Sequence, residues 1–197
     1  MNLPNKLTIL RILIVPFMIA ALLFDFPHHF LVAGLLFGAA SITDYCDGKI
    51  ARERNLITDF GKFADPLADK IMVISCLVCF VDMKLCDPIL LIIVLFREFA
   101  VTSIRLVAAS TGKVIAANMW GKVKTVSQII AVAAVFAFQY FLELCRYGII
   151  PINKDITDII ATYLHIGGMI LLWISTIFTI ISGYIYIKDN KNCIKDR

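Results

Sequence analysis

Residues 44 to 69 read DYCDGKIARERNLITDFGKFADPLAD, and four of the five aspartates in that stretch, Asp44, Asp47, Asp65 and Asp69, decide how the rest of the chain is read. Apolar runs flank the stretch, one over residues 30 to 49 and one over 63 to 81. Asp44 and Asp47 are three apart at the end of the first run; Asp65 and Asp69 are four apart at the start of the second. On a helix, each spacing puts both side chains on one face, with Cβ atoms about 5–6 Å apart. The connection between the runs is short, so the two helices are expected to be antiparallel neighbours with both pairs at one depth. A carboxylate inside a membrane-crossing helix costs roughly 2.5–3.5 kcal/mol on insertion scales, so four of them carry an expectation of function.

Outward from that stretch, the composition supports a membrane setting. The chain has 197 residues, of which 60% are hydrophobic and only 17% charged, with a mean hydropathy of +0.85. A soluble domain carries about a quarter charged residues. Apolar runs recur near residues 7–24, 30–49, 63–81, 88–108, 125–142 and 163–187, and about 20 apolar residues span a bilayer as a helix. The fold expected is all-α, an integral membrane protein with six transmembrane helices preceded by a short N-terminal surface helix over the polar segment Asn2–Thr8. Residues 1–197 then form one membrane domain, with no room for a separate soluble one.

Charge sets the orientation. The side holding both termini carries fourteen Lys and Arg near the proposed ends, against Lys84, Arg146 and Lys154 on the other. By the positive-inside rule, both termini and the 49–62 and 109–124 connections face the cytoplasm. The net charge of +4 is thereby accounted for by cytoplasmic loops and anionic headgroups, and nucleic acid is not needed as a partner. The six cysteines, 46, 76, 79, 86, 145 and 193, have no disulfide-framework spacing; most fall in apolar stretches, and Cys76-x-x-Cys79 is expected to pack in the core. No small-residue cleavage site follows the first apolar run, which is expected to be retained as a helix.

Four facing carboxylates repel one another unless cations join them. Asp oxygens suit hard ions such as Mg²⁺, Mn²⁺ or Ca²⁺, and four of them could hold two ions about 3.5–4 Å apart, the separation that clamps a transferring phosphoryl group. Gly48, Ala51 and Gly61 lie on the same helical faces and leave space for a nucleotide or phosphate beside backbone and metal. Arg52 adds a fork of donors for phosphate oxygens. The plainer alternative is four solvated helix-end aspartates, or aspartates paired to Arg52, Lys62 and Lys70.

Written with its fixed positions, the stretch is D-x-x-D-G-x-x-A-R, eight residues, then G-x-x-x-D-x-x-x-D. This resembles the signature of the CDP-alcohol phosphatidyltransferase family, with every fixed position filled. The resemblance implies a pair of divalent cations, Mg²⁺ or Mn²⁺, held by Asp44, Asp47, Asp65 and Asp69, with Asp69 also taking the proton from the acceptor hydroxyl. It implies a CDP-linked lipid as donor, its cytidine diphosphate contacted by Gly48, Ala51, Arg52, Gly61 and Thr58, under a lid carrying Pro4, Asn5 and Thr8. Thr58 has an alternative reading as a cap at the start of the third helix. An inner-membrane location with the site facing the cytoplasm, and a homodimer, follow from the same resemblance.

For the acceptor, the strings Arg97-Glu98, Ile104-Arg105 and Gly121-Lys122-Val123-Lys124-Thr125, with Gln128, look like the branch of that family acting on glycerol 3-phosphate. Arg105, Lys113, Lys122 and Lys124 are then expected to form a basic pocket for the acceptor's phosphate, although any of them could instead extend to lipid headgroups. The reaction expected joins the phosphatidyl group of CDP-diacylglycerol to sn-glycerol 3-phosphate and releases CMP. Serine, inositol phosphate or phosphatidylglycerol as acceptor stay open, as does a divalent-cation transporter, although a transporter's carboxylates would sit nearer the bilayer midplane.

Overall fold

A computed structural model describes residues 3–53, 59–110 and 119–190; for 3–4, 45–53, 59–66, 69 and 110 it describes only the place in the helix. Six helices follow in order: α1 (Leu3–Leu23), α2 (His29–Glu53), α3 (Asp59–Asp82), α4 (Pro88–Ser110), α5 (Met119–Arg146) and α6 (Lys154–Asp189). Each expected apolar run falls on one of them, and no strand occurs among the described residues. Asn5–Leu23, α5 and α6 are long and apolar enough to cross a membrane, while the apolar part of α2 is shorter, His29–Asp44. Within α4 the apolar run is interrupted by Arg97, Glu98 and Arg105. The chain is a helical membrane protein.

No break separates the segment expected as a surface helix from the first crossing. Leu3 to Thr8 are the opening turns of α1. Pro4 sits in the first turn, where a missing N–H costs no intrahelical bond, and neither Gly nor Pro interrupts the chain again until Pro16. At the other connections, local chemistry sets the ends. Asp87 caps α4 by accepting the Ile89 N–H at 2.9 Å through Oδ1, and Pro88 opens the helix with its φ already suited to it. The end of α5 closes through Ile149 N–H on Leu144 O at 3.1 Å, with Gly148 at φ +71°.

The helices form a ring of neighbours in the order α1, α2, α5, α6, α4, α3 and back to α1. Among the described residues α2 and α3 touch only sparsely, and α1 packs extensively against both. The ends of α2 and α3 expected to meet, 45–53 and 59–66, lie outside the residues whose side chains are described, and α1 is the neighbour the two helices share. Inside the ring, Phe37, Phe80 and Phe136 join α2, α3 and α5, with ring centroids 5.7 Å apart for Phe37–Phe136 and 5.2 Å for Phe80–Phe136. At Gly34 a Cβ would stand 3.3 Å from that of Phe136, so the missing side chain lets α2 and α5 approach closely. Outward positions such as Leu13, Phe17, Phe96, Phe99 and Ile170 are exposed and apolar, as a lipid-facing surface requires.

Cys76, Cys79, Cys86 and Cys145 are free and buried, in keeping with packing rather than disulfide formation. Cys86 lies in the connection between α3 and α4, where burial, with the Asp87 carboxylate beside it, pushes its thiol up to about 12.

Candidate active site

The expected carboxylates lie on α2 and α3, and both helices pack on α1. Asn5, Thr8 and Arg11 recur at three-residue intervals along one side of α1, and all three are buried. A polar line on an apolar helix needs partners, and Arg11 meets one in Asp44: its Nη1 lies 2.8 Å from Asp44 Oδ1. The arginine side chain is fully buried and that of the aspartate is 38% exposed. A guanidinium buried at that point is tolerable because the carboxylate compensates it.

Along α2 the helix runs on without interruption through Asp47, Gly48, Ala51 and Arg52. Gly61, Asp65 and Asp69 all lie within α3. The three- and four-residue spacings are thus realised within continuous helices, and both helices pack on α1. Pro4 occupies the first turn of α1. The side chains of Pro4, Asp47, Gly48, Ala51, Arg52, Gly61, Asp65 and Asp69, and the whole of Thr58 and Lys113, lie outside the described residues. Among the described residues no group of three or more His, Cys, Asp or Glu gathers as a metal site. Asp44 itself fits a hard divalent cation. Its carboxylate stands partly open, 38% exposed, on a helix whose next turn carries a second aspartate.

A second cluster lies where α3, α4, α5 and α6 meet. Glu98 of α4 is 7% exposed. Its Oε1 accepts from Lys124 Nζ of α5 at 2.6 Å and from Arg97 Nη1 at 2.9 Å, and its Oε2 is 3.8 Å from Lys70 Nζ of α3. Lys70 also donates to the hydroxyl of Thr102, whose own hydroxyl donates to the Glu98 carbonyl at 2.6 Å. Arg97 is held from the far side by Nη2 donating to Ser182 Oγ of α6 at 2.7 Å. Beside it, a Cβ on Gly183 would stand 2.9 Å from Arg97 Cγ, so the bare backbone makes the passage for the arginine stem.

This divides the expected acceptor pocket. Lys124 is buried in the cluster, whereas Arg105 and Lys122 are exposed and take no part in it. Gln128, one turn after Lys124, is buried. Three residues are given structural weight that the sequence reading did not give them. Arg11 is one of the fourteen Lys and Arg on the side of the termini, and its place three after Thr8 and six after Asn5 is a usable signal. Glu98 stood only as part of a matching string, and Ser182 had no signal at all.

Comparison with known proteins places the chain in a family. Residues 1–181 match the CDP-alcohol phosphatidyltransferase family. The chain is 38% identical to a CDP-diacylglycerol–glycerol-3-phosphate 3-phosphatidyltransferase of Bacillus subtilis, over 98% of this chain and 97% of that enzyme. It is 36% identical to an enzyme of the same name from Rickettsia bellii, over 96% of each. A probable phosphatidylglycerophosphate synthase of Mycobacterium tuberculosis is 31% identical over 94% of this chain and 80% of its own length.

Proposed function

Because the chain belongs to the CDP-alcohol phosphatidyltransferase family, we propose that it transfers the phosphatidyl group of CDP-diacylglycerol to sn-glycerol 3-phosphate, forming phosphatidylglycerol phosphate and releasing CMP. The observation that carries this is the placement of the two aspartate pairs on continuous helices, α2 and α3, that pack on the buried polar side of α1. The choice of acceptor rests on relatives that carry that enzyme's name along almost their whole length, and on the buried cations around Glu98.

In this reading Asn5, Thr8, Gly48, Ala51, Arg52, Thr58 and Gly61 receive the cytidine diphosphate, with Pro4 in the turn that covers it. Arg11 keeps the Asp44 carboxylate in place. Two divalent cations, Mg²⁺ or Mn²⁺, held by Asp44, Asp47, Asp65 and Asp69, would neutralise the diphosphate and make the acceptor hydroxyl more acidic. Asp69 takes the hydroxyl proton as the acceptor oxygen bonds to the lipid-side phosphorus. The bond from that phosphorus to the CMP oxygen breaks, and CMP leaves with the electron pair.

The six helices serve as six crossings of the inner membrane, with the termini and the site on the cytoplasmic side; the charge asymmetry of the loops supports this. Homodimerisation belongs to the same proposal. The test is CMP release from CDP-diacylglycerol with Mg²⁺ or Mn²⁺ and a panel of acceptors. Turnover with glycerol 3-phosphate, and none with serine, inositol phosphate or phosphatidylglycerol, is the expected result. Turnover with another member of the panel instead would reassign the acceptor, and no metal-dependent CMP release with any would end the proposal.

A further inference from the structure

We infer that Glu98 is a positioning residue: it holds Arg97 and Lys124, with Lys70 beside them, as a preformed receptor for the acceptor's phosphate, without touching that phosphate itself. This rests on the glycerol 3-phosphate reading above and deepens it.

Burying two cations among apolar helices is costly unless something compensates them. Glu98 compensates only in part. Arg97 and Lys124 bring two positive charges to one negative charge, before Lys70 is counted, and both reach the same oxygen, Oε1. The surplus is fixed in place by the other anchors. Arg97 is tied to Ser182 across the gap at Gly183, and Lys70 to Thr102. Arg97 Nε is buried and has no hydrogen-bond partner among the described residues. A buried donor without a partner carries the desolvation cost of the missing bond, and a phosphate oxygen is the kind of acceptor that would relieve it.

Location strengthens the case. Lys70 follows Asp69 directly on α3, so the cluster is attached to the element that carries the proposed base. A phosphate docked there places its bearer beside the aspartate helix, whereas a zwitterionic acceptor such as serine brings no net charge to the surplus. Arg97 and Lys124 are thus held ready before the acceptor arrives, which lowers the ordering cost of binding. The same cations could be met by the phosphate of an anionic lipid, so the source of the phosphate is part of the test.

The experiment uses the full chain in nanodiscs, with Glu98→Gln and Glu98→Asp. The amide keeps the shape of the carboxylate but removes its charge and turns an NH₂ toward the cations. KM for glycerol 3-phosphate should rise about tenfold or more in the Gln variant, the scale of a lost charged hydrogen bond, while KM for CDP-diacylglycerol stays within about twofold. Glu98→Asp, which keeps the charge, should recover part of the loss. Inorganic phosphate should compete with glycerol 3-phosphate in the native protein and weaken as an inhibitor of the Gln variant by the same factor as the KM. An unchanged KM for the acceptor, or a loss shared equally by both substrates and kcat, would overturn the inference. So would a dependence on the phosphatidylglycerol content of the nanodisc in place of the response to inorganic phosphate.

Should the Gln variant fail to fold, Ser182→Ala, which removes only the second anchor of Arg97, must raise the acceptor KM selectively by about threefold, the scale of one net hydrogen bond; no change overturns the inference. The two readings fail differently. Native protein without glycerol 3-phosphate turnover defeats both, whereas native turnover without the selective KM effect defeats this one alone.

Discussion

The two clusters differ in which charge is buried at the centre. Where α1 meets α2, a buried guanidinium, Arg11, stands beside Asp44. Where α3, α4, α5 and α6 meet, a single buried carboxylate, Glu98, gathers cations. Around Glu98 the minority charge gathers the majority without cancelling it, whereas Arg11 holds Asp44. A structural ion pair tends toward balance, because residual charge in an apolar interior is costly. The surplus around Glu98 fits the acceptor phosphate proposed above, as an anion that would complete it.

The largest expected effect lies on the aspartate side. Asp69→Asn should lower kcat by about 10²–10⁴-fold, the range of a lost general base, read as CMP release at saturating substrates. Full turnover in that variant would break the assignment. Next comes the buried guanidinium itself. Arg11→Met should cost about 1–3 kcal/mol in thermal denaturation, toward the low end for a broken buried pair because the Asp44 side chain is 38% exposed. Arg11→Lys should restore only part of this, since lysine lacks the planar fork. A Met variant as stable as the parent would mean that Arg11 does not organise that site.

Gly183→Ala sharpens the other side. Its Cβ would fall 2.9 Å from Arg97 Cγ, and overpacking of that kind costs about 1–3 kcal/mol. An unaltered melting temperature would show that Arg97 can vacate its passage freely. Smaller still are Arg105→Ala and Lys122→Ala. Both residues are exposed, and charges there contribute about 0–1 kcal/mol, so the acceptor KM should move by less than about threefold. A tenfold rise in either would return the pocket to where the sequence placed it.

Cys86 lies outside both clusters and serves as a control. Its thiol is raised to about 12 from its ordinary value near 9, so it should resist iodoacetamide at pH 8 in the folded protein and react once denatured. Because the folded state keeps the proton longer, its contribution to stability is complete below pH 9 and is lost as pH climbs from about 9 toward 12. Rapid labelling of the native protein would show that its burial is not maintained.

Reading the sequence worked best where the physics is local. Asp44 with Asp47 and Asp65 with Asp69 share faces because a helix repeats every 3.6 residues, whatever surrounds it. Asn5 and Thr8 came only from the family resemblance, although their three-residue spacing continues to Arg11 on the same side of α1. The basic pocket was harder. Lys122 and Lys124 are near neighbours in sequence, but one is exposed and the other buried, because successive positions two apart on a helix point to different sides. Nothing local marked Glu98 as the residue that would receive Lys124.

From its residues alone, this chain was bound to be a set of apolar helices in a membrane, with paired aspartates at one end of two of them. Run length against bilayer thickness and helical periodicity suffice for that. Which charges meet was decided only when the helices closed into a ring. Arg11 reaches Asp44 because α1 packs on α2; Lys124 reaches Glu98 across 26 residues, and Arg97 reaches Ser182 across 85. Partners so far apart in sequence are chosen by which helix faces pack together, and packing depends on the fit of whole surfaces rather than on any spacing along the chain.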